Sequence, residues 1–284
     1  MSKIRIVTDT NSGITLEMAK EIGVTVLPMP FFIDGVPHTD GVDCTYEEFF
    51  KKLRMGADVS TSQPSPGDLC DLWDKVLEDY DELVYIPMSE ALSSSCETAI
   101  ALSANYNGKV QVVNNRRISI TLYQSILDAL RLAEYGMNAA EIKAVLERES
   151  AEQSIYITVN TLELLKKSGR VTKAAAGLAT VLNLKPVLQI QGGKLDTYKK
   201  ARGMDKARLT MIDAIKNDLE TRFKGKKVQL ALAYSGDREP AEDWAKQFKA
   251  AFPEVDNIIM HALPISICCH TGDGALAAAV SKVL

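Results

Sequence analysis

Ile4-Arg5-Ile6-Val7-Thr8-Asp9-Thr10-Asn11-Ser12-Gly13 is the stretch that decides the fold. A short run, apolar but for Arg5, breaks into a polar turn that ends in glycine. That is a buried strand followed by a loop, the usual opening of an open α/β sheet. The following segments agree. Thr15 is placed to cap a helix reaching about Ile22, and Val24–Leu27 is a second strand. Phe31–Ile33, Asp34-Gly35 and Val36–His38 form a hairpin pattern, because Asp-Gly supplies the positive φ angles of a tight turn. Thr45-Tyr46-Glu47-Glu48 is a capping box for a helix that stops at Gly56. Leu83–Ile86 and Val110–Val113 are further strands, and helices run over about Ile118–Tyr135 and onward from an Asn138 cap. Strand and helix alternate through this half, which predicts a largely parallel sheet with polar loops at the carboxyl ends of its strands.

The second half has a different texture. Ile155–Val159 is a strand near a domain boundary expected at 150–165, giving units 1–157 and 158–284. Leu162–Lys167 is a helical turn, and the small, apolar Val171–Leu182 stretch suits close helix packing. Pro186–Ile190 and Lys194–Tyr198, joined by Gln191-Gly192-Gly193, predict an antiparallel hairpin and hence a mixed sheet. Helices over Asp205–Arg222 and Ala241–Phe252 separate strands at Val228–Tyr234 and Ile258–Leu263. Ile265–Cys269 then leads to a His270–Gly274 turn and a closing helix from Ala275.

Composition narrows the class. The chain has 284 residues, 46% hydrophobic and 25% charged, enough for about two domains with a substantial core. A net charge of -4 with no basic block argues against a nucleic-acid surface. Five cysteines without a CxxC pair point to reduced, buried thiols and a cytoplasmic protein. Met1–Thr10 runs directly into a strand pattern, so no signal peptide is expected. No apolar run approaches membrane-spanning length. Three scattered histidines without carboxylate spacing make no metal site.

Three hydroxyl-rich clusters stand out. Ser60-Thr61-Ser62-Gln63-Pro64-Ser65-Pro66 is stiffened by two prolines, with Ser65 as N-cap and Pro66 at the first helical position. Ser93-Ser94-Ser95 precedes a second helix, and His270-Thr271 sits ahead of the closing one. Helix amino ends leave unpaired N–H groups and partial positive charge, so the three together can hold one small anionic group. No GxxxxGK[ST] or GxGxxG phosphate cradle is present. Taken singly, each cluster is as well explained by helix capping, and Arg170 and Arg202 by solvated surface.

In combination these pieces resemble the DegV family, whose members act as the fatty-acid-binding B subunit of bacterial fatty acid kinase. The matching stretches are Val7-Thr-Asp-Thr-Asn-Ser, Thr61-Ser-Gln-Pro-Ser, Leu92-Ser-Ser-Ser with Thr98-Ala99, Ser168-Gly-Arg-Val, Ala201-Arg-Gly and His270-Thr-Gly-Asp-Gly-Ala-Leu. The family usually has Ser-Gly-Thr at Ser93–Ser95 and Gly-Gly-Arg at Ser168–Arg170. The resemblance implies two α/β domains with a long-chain fatty acid between them, the second domain supplying His270 and covering the acyl tunnel. The carboxylate would meet Thr61, Ser93 and His270, with Ser62, Ser95 and Thr271 nearby. His270 would carry a proton opposite the anion. A separate ATP-dependent kinase subunit would convert the carboxylate to an acyl phosphate, with Arg170 and Arg202 at the docking face or near the phosphate. The chain itself would have no catalytic residue, cofactor or metal, and would touch a membrane surface only transiently, for ligand exchange. Two other readings compete: a serine hydrolase built on Ser93 and His270, and a non-enzymatic lipid sensor or transport protein. The hydrolase lacks a GxSxG elbow and a visible acidic partner.

Overall fold

The computed structural model describes residues 2–177 and 184–284. A four-stranded sheet has the order β2-β1-β6-β7, with β1 Ile4–Asp9, β2 Thr25–Leu27, β6 Glu82–Ile86 and β7 Val110–Val112. All of its ladders are parallel. Its two faces are covered by separate helix sets. Helices α3 (Pro66–Leu77) and α4 (Ser95–Ser103) bury Trp73, Leu69 and Ala99 against Tyr85 and Val7. Helices α1 (Leu16–Ile22), α5 (Ser119–Glu134) and α6 (Ala139–Arg148) bury Ile126, Leu122 and Ile142 against Ile6 and Val84.

The second sheet is mixed, as the hairpin pattern predicts. Its order is β10-β9-β8-β13-β11-β12, with β8 Gln153–Thr158, β9 Leu184–Ile190, β10 Asp196–Arg202, β11 Val228–Tyr234, β12 Ile258–Ala262 and β13 Leu276–Lys282. Only β11–β12 is parallel. Helices α9 (Met204–Glu220) and α10 (Arg238–Ala251) cover one face through Trp244, Phe248 and Met211. The other face, carrying Ile155, Ile157, Ala277 and Ala279, shares a core with Phe31, Val59, Leu92 and Ile118. Helix α5 packs against β11 and β13 as well as β1, so it joins the two halves. The expected division after residue 157 falls inside β8, every ladder of which belongs to the six-stranded sheet.

A small antiparallel sheet, β4-β3-β5, lies beside this junction: β3 Pro30–Ile33, β4 Val36–Thr39 and β5 Val59–Thr61. Asp34 and Gly35 have φ of 50° and 78°, the geometry expected of an Asp-Gly hairpin. Helix α2 (Tyr46–Arg54) carries the Thr45–Glu48 capping box.

The end of the chain departs from expectation. Ile265–Thr271 is a helix, α11, and β13 is a strand rather than a closing helix. Alanine favours helix in isolation, but β13 lies between β8 and β11 with both faces buried. Small side chains let helices and the facing core approach that central strand, and tertiary packing overrides propensity. The remaining short helices are α7 (Glu163–Ser168) and α8 (Lys173–Ala176). The expected packing of Val171–Leu182 lies in part outside the described residues.

Candidate functional site

A cavity of about 270 Å³ lies where the carboxyl ends of β1 and β6 face the inner side of the six-stranded sheet. Its apolar walls include Met29, Met88, Ile118, Ile155, Ile157 and Ala277. Its polar wall gathers Thr61, Ser62, Ser93, Arg170, His270 and Thr271. Four elements bring these groups together. Thr61 ends β5, and Ser93 lies just ahead of α4. His270 and Thr271 close α11, which packs on β5 and α7. Arg170 follows α7, whose Gly169 cap has φ of 69°.

The central contact is between Thr61 Oγ1 and His270 Nε2, 2.9 Å apart. His270 Nδ1 is buried without a hydrogen-bond partner among the described residues, so no carboxylate orients the ring. Burial, reinforced by the nearby Arg170 charge, lowers the His270 pKa to about 4. The ring is therefore neutral near pH 7 where no anion faces it. His270 also stands at the carboxyl end of its helix, not before a helix amino end. The backbone there offers no positive dipole, and the imidazole itself is the donor this segment brings.

The serine cluster is arranged differently. Ser93 Oγ donates to Ser95 Oγ at 3.0 Å and accepts from Ser95 N at 3.2 Å. Ser95 is buried behind Ser93 and does not line the cavity. Ser94, the residue ahead of α4, makes no side-chain cap bond, so the helix's amino end keeps N–H groups to spare. Thr98 Oγ1 donates to Gln63 Oε1 at 3.2 Å, tying the serine loop to the Thr61 loop. Arg170 Nε donates to Leu92 O at 3.3 Å, and Nη1 donates to Ser168 O. Arg202 is exposed at the end of β10 and does not line the cavity.

Gln63 of the first hydroxyl-rich loop also lines the cavity, together with three residues that the sequence reading does not mark as site candidates: Asn11, Ser119 and Ser266. Asn11 was visible only as part of the turn after β1. Asp9, at the end of that strand, serves the turn: Oδ1 accepts from Asn11 N at 3.0 Å and Oδ2 from Met88 N at 3.1 Å. Burial nevertheless pushes Asp9 up to about 6. No metal-binding group of histidines, cysteines and carboxylates occurs among the described residues. No described helix is long and apolar enough to cross a membrane.

The DegV family model ("Uncharacterised protein, DegV family") matches residues 3–283. The chain belongs to the DegV family. A DegV domain-containing protein of Deinococcus radiodurans is 29% identical over 281 residues, covering 99% of each chain. Another from Staphylococcus aureus is 27% identical over 283 residues, covering 99% of this chain and 100% of the other. Among solved structures, one described as showing fatty acid binding of a DegV family protein from Thermus thermophilus is 31% identical. It superposes with a TM-score of 0.90 over 99% of this chain and 100% of that one. A stearic acid-binding protein from Eubacterium ventriosum, 23% identical, shares the fold at a TM-score of 0.89, covering 99% and 98% of the two chains. The expected family and α/β architecture thus hold for this DegV-family chain.

Proposed function

We propose that this protein binds a long-chain fatty acid in the cavity and presents its carboxylate to a separate ATP-dependent kinase subunit, which converts it to an acyl phosphate. The observation that carries the reading is the Thr61–His270 contact at the polar end of a largely apolar cavity. Each buried methylene contributes about 0.8 kcal/mol, so an acyl tail supplies ample affinity. The cost falls on the head group, since a buried carboxylate is expensive unless several donors meet it. Thr61, Ser62, Ser93 and His270 line that end, and Thr271 and Ser95 stand next to them. The fatty acid bound by the Thermus thermophilus relative supports the ligand class.

On this reading the chain is a carrier and the partner is the catalyst. His270 lacks an orienting acid, which disfavours a Ser93–His270 hydrolase. Arg170, beside His270, is placed to meet the transferred phosphate, and Arg202 to meet the partner farther out. We also place the boundary between two units at 149–152, ahead of β8, in a cytoplasmic protein. The test has two stages. Mass spectrometry of an organic extract should find a near-stoichiometric long-chain fatty acid. Incubation with ATP and a fatty-acid kinase subunit should then yield acyl phosphate, with His270→Ala abolishing it. A loaded protein that never yields acyl phosphate with any kinase subunit would leave a sensor or transport role in its place.

A further inference from the structure

Helix α11 brings His270 to the cavity, and the small antiparallel sheet grips that helix at both ends. At the carboxyl end Thr61, the last residue of β5, meets His270. At the amino end the grip comes from Asp40, the residue after β4. Asp40 is 6% exposed, and its Oδ2 accepts from Ser266 N at 3.3 Å and from Ser266 Oγ at 3.1 Å. The two residues are 226 positions apart in the chain. Pro264, directly ahead of α11, offers no side-chain cap, so a carboxylate from another part of the fold supplies one. The helix dipole favours an acidic group at that end.

Asp40 is itself pinned. Its N–H donates to Met29 O at 2.9 Å, at the entry to β3, and Thr10 Oγ1 donates to its Oδ2 at 3.3 Å. Helix α11 packs on β3 and β5, the strands between these two grips. Ser266 and His270 are four residues apart, about 6 Å along the helix axis. Asp40 does not line the cavity; it borders a separate cleft with Leu16, Val42 and Tyr46. The structure assigns Asp40 as a positioning residue: by fixing the amino end of α11 it sets the approach of His270 to Thr61, and with it the preference for a carboxylate head group. A shift of about 1 Å at a binding group is enough to spoil its geometry. This rests on the fatty-acid reading above and adds a residue that acts on the head group without touching it.

The experiment compares myristate with 1-tetradecanol, the same chain with and without a carboxylate, by competitive displacement on delipidated protein. Wild type should prefer the acid at least about tenfold. Asp40→Ala should cut that preference at least about fivefold and leave the alcohol's affinity within about twofold, whereas a general loosening of the fold lowers both. Asp40→Asn keeps an acceptor in place and should hold the preference to within about threefold of wild type. Ser266→Ala removes one of the two bonds to α11 with a residue that suits a helix, so it folds even where Asp40→Ala does not. It should lower the preference about threefold. In the Thr61→Val background Asp40→Ala should cost little further preference, because both changes act on one contact. An undiminished preference in Asp40→Ala, or in Ser266→Ala where the former is unfolded, overturns the inference. Additive losses with Thr61→Val, or an Asp40→Asn protein no better than Asp40→Ala, overturn it equally. A wild-type protein that binds neither ligand, or both alike, defeats the fatty-acid reading itself, and this inference falls with it.

Discussion

The hydroxyl of Thr61 lies 2.9 Å from Nε2 of His270, although 209 residues separate them in the chain. The contact joins the small antiparallel sheet to the carboxyl end of α11, so the head-group end of the cavity exists only when both halves are assembled. Thr61→Val keeps the shape and removes the oxygen. Fatty-acid affinity should fall by about 1.5–3 kcal/mol, the range for hydrogen bonds to charged groups. The thermal midpoint of the ligand-free protein should move by only a few degrees. Calorimetric titration set against a melting curve separates the two effects.

His270 titrates near 4 in the free protein, below its ordinary 6.5, because burial and Arg170 disfavour its charged form. Its contribution to folding is complete above about 6.5 and is lost as pH falls toward 4, since the unfolded chain then binds the extra proton. Asp9 works in the opposite sense: raised to about 6, its contribution is complete below 3.8 and lost as pH rises through 6. The difference between wild type and His270→Gln isolates the histidine. Wild type should lose stability relative to the variant between pH 6.5 and 4.

A bound carboxylate raises the His270 pKa again by opposite charge. Ligand binding should therefore take up a proton, and affinity should rise as pH falls from about 7 to about 5, above the acid's own titration range. Titrations in buffers of different ionisation enthalpy measure the uptake directly. A His270→Gln protein should show none.

Ala233 on β11 and Ala277 on β13 are register partners, and both line the cavity. Ala277→Leu adds three heavy atoms to that wall. It should shorten the preferred acyl chain, each excluded methylene costing about 0.8 kcal/mol of binding. Competition between chain lengths, read by mass spectrometry of the bound lipid, gives the shift.

Gly236 has φ of 81°, and a Cβ there would fall 1.8 Å from Asp273 Oδ1. Asp273 is held by Arg54 through Nε at 2.6 Å and Nη2 at 3.2 Å, three residues from His270. Gly236→Ala should destabilise by about 2 kcal/mol or more, from a disallowed φ together with a displaced ion pair. It should also lower ligand affinity by moving the loop behind His270. Arg54→Met, which removes the partly exposed ion pairs to both Asp273 and Asp237, should cost about 1 kcal/mol or less.

Local chemistry explains what was legible in the sequence. The Asp34-Gly35 turn and the Thr45, Ser65 and Asn138 caps depend on neighbouring residues alone, and the structure has them. Alternation of strand and helix was enough for the parallel sheet. The β13 strand was misread as helix because Ala275–Ala279 has a helical composition, and only its place between β8 and β11 makes it extended. The same misreading put His270 ahead of a helix instead of at the end of one. Three hydroxyl clusters were visible because they stand as runs. Ser119 and Ser266 are single polar residues brought to the cavity by the start of α5 and by the packing of α11, and no local pattern marks them; Asn11 stands in the Thr8–Ser12 polar run, which reads as a turn and reaches the cavity only through the fold. Arg202, picked out by a short motif, lies away from the cavity.

The order of the six-stranded sheet has a consequence for synthesis. Its central strand, β13, is the last of the six in sequence, and it fills the gap between β8 and β11. A nascent chain that has emerged as far as β12 carries two open strand edges and an unfilled core, with His270 not yet anchored. Such edges are templates for wrong pairing. The cavity is therefore among the last features completed during translation. A chain interrupted before Leu276 should be recognised by chaperones or proteases as an aggregation-prone fragment, not persist as a partly folded protein.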